Sequence, residues 1–118
     1  MGREIALAFA REGVASLVLG DVDEAGLSET KNLVGEQTPS VEVVTTRLDV
    51  SDEASVQAFI ALAVSKFGRI DYAVNAAGVA PPMLTVMDPQ KDDLYKCIAV
   101  NSKGVCSSRL LQSRDMLK

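Results

Sequence analysis

No histidine occurs among the 118 residues. That excludes a Ser–His nucleophile pair and argues against a zinc site. Tryptophan is also absent, and aromatic residues make up only 4% of the chain, so any core is built of aliphatic side chains. The two cysteines, Cys97 and Cys106, make neither a disulfide framework nor a CxxC pair. They are expected to be reduced, partly buried thiols of an intracellular, cytoplasmic protein. There is no basic cluster, and the net charge is -4. Nucleic acid and anionic membrane surfaces are therefore not expected as partners. No apolar run reaches the length of a membrane span. The opening, MGREIALAFAREG, spreads charges through a helix-like pattern, unlike a signal peptide. Ala6 stands where a myristoylation signal needs Ser or Thr.

What is present is a globular composition, 47% hydrophobic and 24% charged, of a length that fits one domain over residues 1–118. Ile5, Ala8 and Phe9 fall at helical spacing within residues 2–12, and Gly13 stops them. Residues 15–20, ASLVLG, read as a buried strand. Asp23 suits the N-cap of a helix with Leu27, Thr30 and Val34 on its inner face, ending near Gly35. The β-branched run at 41–46 reads as a second strand. Ser51 then suits the N-cap of a third helix, with Asp52 and Glu53 in its first turn. Val56, Phe59, Ile60, Ala63 and Phe67 form its apolar stripe, and Gly68 closes it. A strand over 70–74, a proline-containing loop over 79–89 and a helix from about 92 to the end complete the pattern. Regular alternation of strand and helix implies an α/β fold with a parallel sheet covered on both faces.

Ligands of such sheets sit outside the carboxyl ends of the strands. The first visible strand ends in Asp21, the second in Asp49-Val50, and the third in Asn75-Ala76-Ala77-Gly78. Asp is also an ordinary turn and cap residue, so Asp21 and Asp49 each have a purely structural reading. The third end is harder to explain that way, because small residues after an amide let a flat group approach the backbone. Gly2 opens the first helix, and Asp21 follows 19 residues later. A dinucleotide fingerprint places its last glycine and its ribose-binding acid at about that spacing.

On these residues the sequence resembles the short-chain dehydrogenase/reductase family over essentially its whole length. Met1 and Gly2 look like the tail of that family's TGxxxGxG loop, Asp21 its cofactor-selecting acid, and Asp49-Val50 its adenine-binding pair. NAAG at 75–78 resembles its Asn-Asn-Ala-Gly motif, with Ala76 in place of the second Asn. VNSKGV at 100–105 resembles the segment carrying its active-site Asn, here Asn101. The resemblance implies a Rossmann-like, doubly wound parallel sheet, incomplete here, with the first strand and C-terminal half absent. It implies an NAD(P)-dependent oxidoreductase acting on a small-molecule alcohol or carbonyl, homo-oligomeric in its full-length form. Asn75 would contact the cofactor, and Ala77 and Gly78 would leave room for its ribose. Asp21 favours NAD over NADP, since a carboxylate accepts hydrogen bonds from both ribose hydroxyls and repels a 2′-phosphate. Asn101 would bend its helix and hold a water of the proton relay. It is a poor residue for a helix interior and shares a face with Leu94, Ile98 and Val105, which predicts an inward-pointing amide. Such an amide also has a structural reading, bonded to a neighbouring backbone group.

The family's catalytic Tyr-x-x-x-Lys is not found: Tyr72 and Tyr95 are followed at the fourth position by Ala76 and Ala99. That motif is expected beyond residue 118, and the chain is expected to be a piece truncated at both ends, inactive alone and marginally stable through open strand edges. Two other readings stand beside this one. A non-catalytic fragment would bind cofactor or pair with a longer relative through the Asn101 helix. A phospho-receiver domain would use Asp49, Thr85 and Lys103, but no acidic pair ends an opening strand, and Lys103 falls in a helix. The loop residues Met83, Leu84 and Met87 suit an apolar substrate or simple packing equally.

Overall fold

The computed structural model describes residues 1–80 and 91–117. Thr85, Met83, Leu84 and Met87 lie outside the described residues. The chain begins with α1 (Gly2–Arg11). Its buried side chains are Ala6, Leu7 and Ala10. Of the apolar residues at helical spacing, Ile5 and Phe9 are half-buried beside a cavity, and Ala8 is exposed. The helix carries two apolar sides, and the smaller side chains meet the neighbouring helix. Gly13 at φ +89° ends it, a conformation that costs glycine no steric clash.

The strand β1 (Ser16–Asp21) and the strand β2 (Glu42–Arg47) run parallel, with Leu17 opposite Val43 and Asp21 opposite Arg47. The crossover between them is α2 (Glu24–Gln37), whose buried residues are Leu27, Thr30 and Val34, as expected. The Asp23 carboxylate caps it by accepting from the Gly26 N–H at 3.1 Å. Alternation along the strands sends neighbouring side chains to opposite faces. Leu17 and Val43 face a core of Leu7, Ala10, Val34 and Val41, which joins α1, α2 and the sheet. Fully burying a side chain such as Val34 stabilises by about 1.5–3 kcal/mol. Gly20 points the other way. A Cβ there would stand 2.8 Å from both Leu48 and Phe59, so glycine alone lets α3 (Glu53–Phe67) lie on the sheet.

Helix α3 buries Val56, Ile60 and Ala63, and Gly68 at φ +78° terminates it. Its N-cap is Asp52, not Ser51 as expected: Asp52 accepts from the Ala54 N–H at 3.1 Å. Ser51 is instead drawn back onto Asp49, to which it donates both its N–H and its hydroxyl.

The expected strand at 70–74 is corrected. Among the described residues the sheet has two strands, β1 and β2. Residues 69–79 form the far wall of a cavity whose near wall is β1, so no ladder forms between them. For the same reason β1 is half-buried rather than buried.

The last helical run is α4 (Lys91–Cys97), a π-helical segment (Ile98–Gly104) and α5 (Val105–Met116). Helix α5 packs against α3. The expected inward face is corrected too. Leu94 and Ile98 are exposed, Val105 is half-buried, and the buried positions are Gly104 and Ser108. The wide π turn rotates the helix so that Gly104 meets Val50. Cys97 is half-buried, whereas Cys106 is exposed rather than partly buried. No helix among the described residues is long and apolar enough to cross a membrane.

Candidate functional site

A cavity of about 1310 Å³ opens at the carboxyl ends of β1 and β2. Met1, Gly2, Asp21, Asp49, Val50, Asn75, Ala77 and Gly78 all line it. Its inner part runs between β1 and residues 69–74, walled by Leu17, Val18, Phe59, Ile60 and Ala63. Asn101 does not line it, but reaches its edge through Val79.

Helix α1 brings the first site feature. Asp23 and Asp52 cap α2 and α3, whereas α1 has no side-chain cap. The first N–H groups of α1 lie at the positive end of a helix dipole. They suit an anion, phosphate above all. Arg3 is turned elsewhere: its guanidinium donates to the Thr30 hydroxyl at 3.2 Å and pairs with Glu29 at 2.6 Å. Gly2 lies beside the second feature, the 75–78 turn. A Cβ on Gly2 would be 3.7 Å from that of Ala76, and a Cβ on Gly78 would be 3.5 Å from the Asn101 Oδ1. Both are ordinary contacts, and neither glycine has positive φ. The protein's own packing among the described residues demands glycine at neither position.

Asp21 ends β1, exposed, with one carboxylate oxygen accepting from the Asp23 N–H at 3.1 Å. That bond fixes the carboxylate's direction. Asp49 follows β2. The Ser51 hydroxyl donates to its Oδ1 at 2.6 Å and the Ser51 N–H at 3.0 Å. The hydroxyl first, then the N–H, then the charge of Arg47 hold its carboxyl below the ordinary carboxylate range, outweighing the opposing effect of burial. A depressed folded-state value contributes stability that is present above about 3.9, the unfolded value, and is lost as pH falls through the lower folded one. Ser51→Ala is accordingly expected to raise the Asp49 carboxyl toward the ordinary range in a carbon-13 NMR titration. An unmoved titration would remove Ser51 as the cause.

Asn101 lies in the π segment and is exposed, not pointing inward. Its Oδ1 accepts from the Val79 N–H at 2.9 Å, and its Nδ2 donates to the Val79 carbonyl at 2.8 Å. The Cys97 thiol approaches the same carbonyl at 3.8 Å. The amide thus mimics a strand partner for the residue after the small-residue turn. Lys103 sits exposed in the same π segment and follows no strand, which leaves the phospho-receiver arrangement without its Lys.

Sequence reasoning missed two residues here. Gln112 exchanges two hydrogen bonds with Asn75, each 3.1 Å. Its signal was its spacing, eleven residues after Asn101, or about three helical turns. Ser55 accepts from the Asp49 N–H at 3.0 Å, and nothing in its position announced that.

Residues 1–114 match the family model described as "Enoyl-(Acyl carrier protein) reductase". The chain is 36% identical over 134 aligned residues to the short-chain dehydrogenase RED2 of Pyricularia oryzae, covering 98% of this chain and 46% of that protein. The structure matches that of an NAD+-bound xylitol dehydrogenase with a TM-score of 0.90 at 29% identity, over 98% of this chain and 44% of that one. It also matches an alcohol dehydrogenase of Thermococcus sibiricus complexed with 5-hydroxy-NADP, with a TM-score of 0.87 at 29% identity, over 98% of this chain and 48% of that one. The chain spans less than half the length of the curated relatives it matches.

Proposed function

The chain belongs to the short-chain dehydrogenase/reductase family, and on that premise we propose that it carries the cofactor-binding half of an NAD-dependent oxidoreductase acting on an alcohol or carbonyl. One observation carries the reading most: Gly2 at the start of α1, the small-residue turn, Asp21 and Asp49 all line one cavity. The N–H groups of α1 receive the pyrophosphate. Gly2 and Gly78 keep the cavity floor low enough for the sugar and phosphate to approach. Asp21 accepts from both adenine-ribose hydroxyls and disfavours a 2′-phosphate. Asp49 and Val50 form the adenine edge. The nicotinamide ring, when bound, supplies or accepts the hydride.

Asn101 acts by holding the turn through Val79. With both ends of its amide occupied there, the water of a proton relay falls to a main-chain carbonyl of the π segment, where hydrogen bonding is wider than in an α-helix. The relay's Tyr-x-x-x-Lys is not among the 118 residues, so binding without turnover is assigned to them. The exposed apolar side chains Leu94, Ile98 and Leu110 of the last helical run favour homo-oligomeric pairing of the full-length form through that run.

The test is a titration of the 118-residue chain with NADH, followed by the fluorescence of the reduced ring. Saturable binding, displaced by NAD and without alcohol or carbonyl turnover, is the expected result. Turnover would refute the division of labour, and no binding of NADH or NADPH would refute the cofactor reading.

A further inference from the structure

Two carboxamides hold the 75–79 turn against the last helical run, one at each end. Asn101 grips Val79 through both backbone groups. Gln112 grips Asn75: its Nε2 donates to the Asn75 Oδ1 and its Oε1 accepts from the Asn75 Nδ2, both at 3.1 Å. The turn is thus pinned to the last helical run at both ends. Gln112 itself lines the cavity.

We propose that Gln112 is a positioning residue of the cofactor site, fixing the Asn75 carboxamide and the height of the small-residue turn through the reciprocal Asn75–Gln112 clasp. The inference rests on the cofactor reading above. An amide carries two donors and two acceptor sites. The clasp uses one of each on Asn75 and leaves the rest aimed in a fixed direction. A side chain that is already fixed loses less freedom when a ligand arrives. Without Gln112, Asn75 is an exposed amide free to rotate, and the turn is held only at Val79.

Three forms of the chain separate this role from a merely structural one: Gln112→Leu, Asn75→Ala, and the double exchange Asn75→Gln with Gln112→Asn, which keeps an amide–amide pair of the same total length. NADH titration is read beside the side-chain amide signals of residues 75 and 112 in nitrogen-15 NMR. Gln112→Leu is expected to weaken NADH binding roughly five- to ten-fold, the scale of one or two neutral hydrogen bonds. The double exchange is expected to restore affinity to within about two-fold, because the pair and not the residue carries the effect. Unchanged binding in Gln112→Leu overturns the proposal, and so does failure of the exchange to restore affinity while the paired amide signals persist. If the unaltered chain binds no dinucleotide, the cofactor reading fails and takes the positioning role with it. The Gln112 amide signals, shifted or unshifted by Asn75→Ala, then report the clasp alone.

Discussion

Replacing Asp21 with serine is expected to move the preference of the chain from NADH toward NADPH by about 100-fold, the scale of losing charge-assisted hydrogen bonds at roughly 1.5–3 kcal/mol each. The carboxylate ends β1 at the cavity edge, steered by the Asp23 N–H. On the proposed cofactor reading, two hydroxyls of an unphosphorylated ribose are its partners. A 2′-phosphate would meet a like charge. Removing the carboxylate takes that like charge away from the cavity edge. Affinity for NADH should therefore fall while affinity for NADPH rises. Competition titrations with the two cofactors measure both. An equal change for both would take Asp21 out of contact with the ribose.

The second large effect is expected at Gly104. A Cβ there would stand 2.8 Å from the Val50 carbonyl oxygen, 2.9 Å from the Val50 Cγ2 and 3.1 Å from the Ala99 carbonyl oxygen. Two of these three atoms are backbone and cannot swing aside. Gly104→Ala must therefore push the π segment away from the end of β2, at a cost of about 1–3 kcal/mol for overpacking. It should also disturb the edge formed by Asp49 and Val50. Gly35 in α2 makes the control: nothing lies within 4 Å of a Cβ built there. Gly35→Ala is expected to stabilise by about 0.4–1 kcal/mol, since alanine restricts the unfolded chain. Urea midpoints of the two variants should fall on opposite sides of the parent. A Gly104→Ala variant as stable as Gly35→Ala would contradict the close approach.

Where local chemistry decides, the sequence was enough. Asp23 caps α2 and Gly68 closes α3 as expected, because each needs only its own few neighbours. The apolar stripe of α3 buried Val56, Ile60 and Ala63 where periodicity placed them. The cap of α3 went to Asp52 because Ser51 had a stronger local partner in the Asp49 carboxylate. The run at 70–74 carries the composition of a strand, yet a strand is defined by a partner, and the cavity separates it from β1. Hydrophobic spacing likewise could not orient the last helix. A π turn breaks the 3.6-residue period within it, and Leu94 and Ile98 end up in solvent.

The strand ends were legible as chemistry one residue at a time. What the sequence did not carry was their coupling. Gln112 binds Asn75 and Asn101 binds the backbone of Val79, contacts 37 and 22 residues apart along the chain, and the helical spacing of Asn101 and Gln112 does not name those partners.

The most direct test of the account is a nitrogen-15 NMR titration of the chain with NAD, read at the backbone amides. The account predicts that Gly2, Asp21, Asp49, Val50, Asn75, Ala77 and Gly78 shift together along one saturation curve, with Val79 and Gln112 following because they hold the turn. Shifts confined to other surfaces, or separate curves for the α1 start and the 75–78 turn, would contradict a single dinucleotide site.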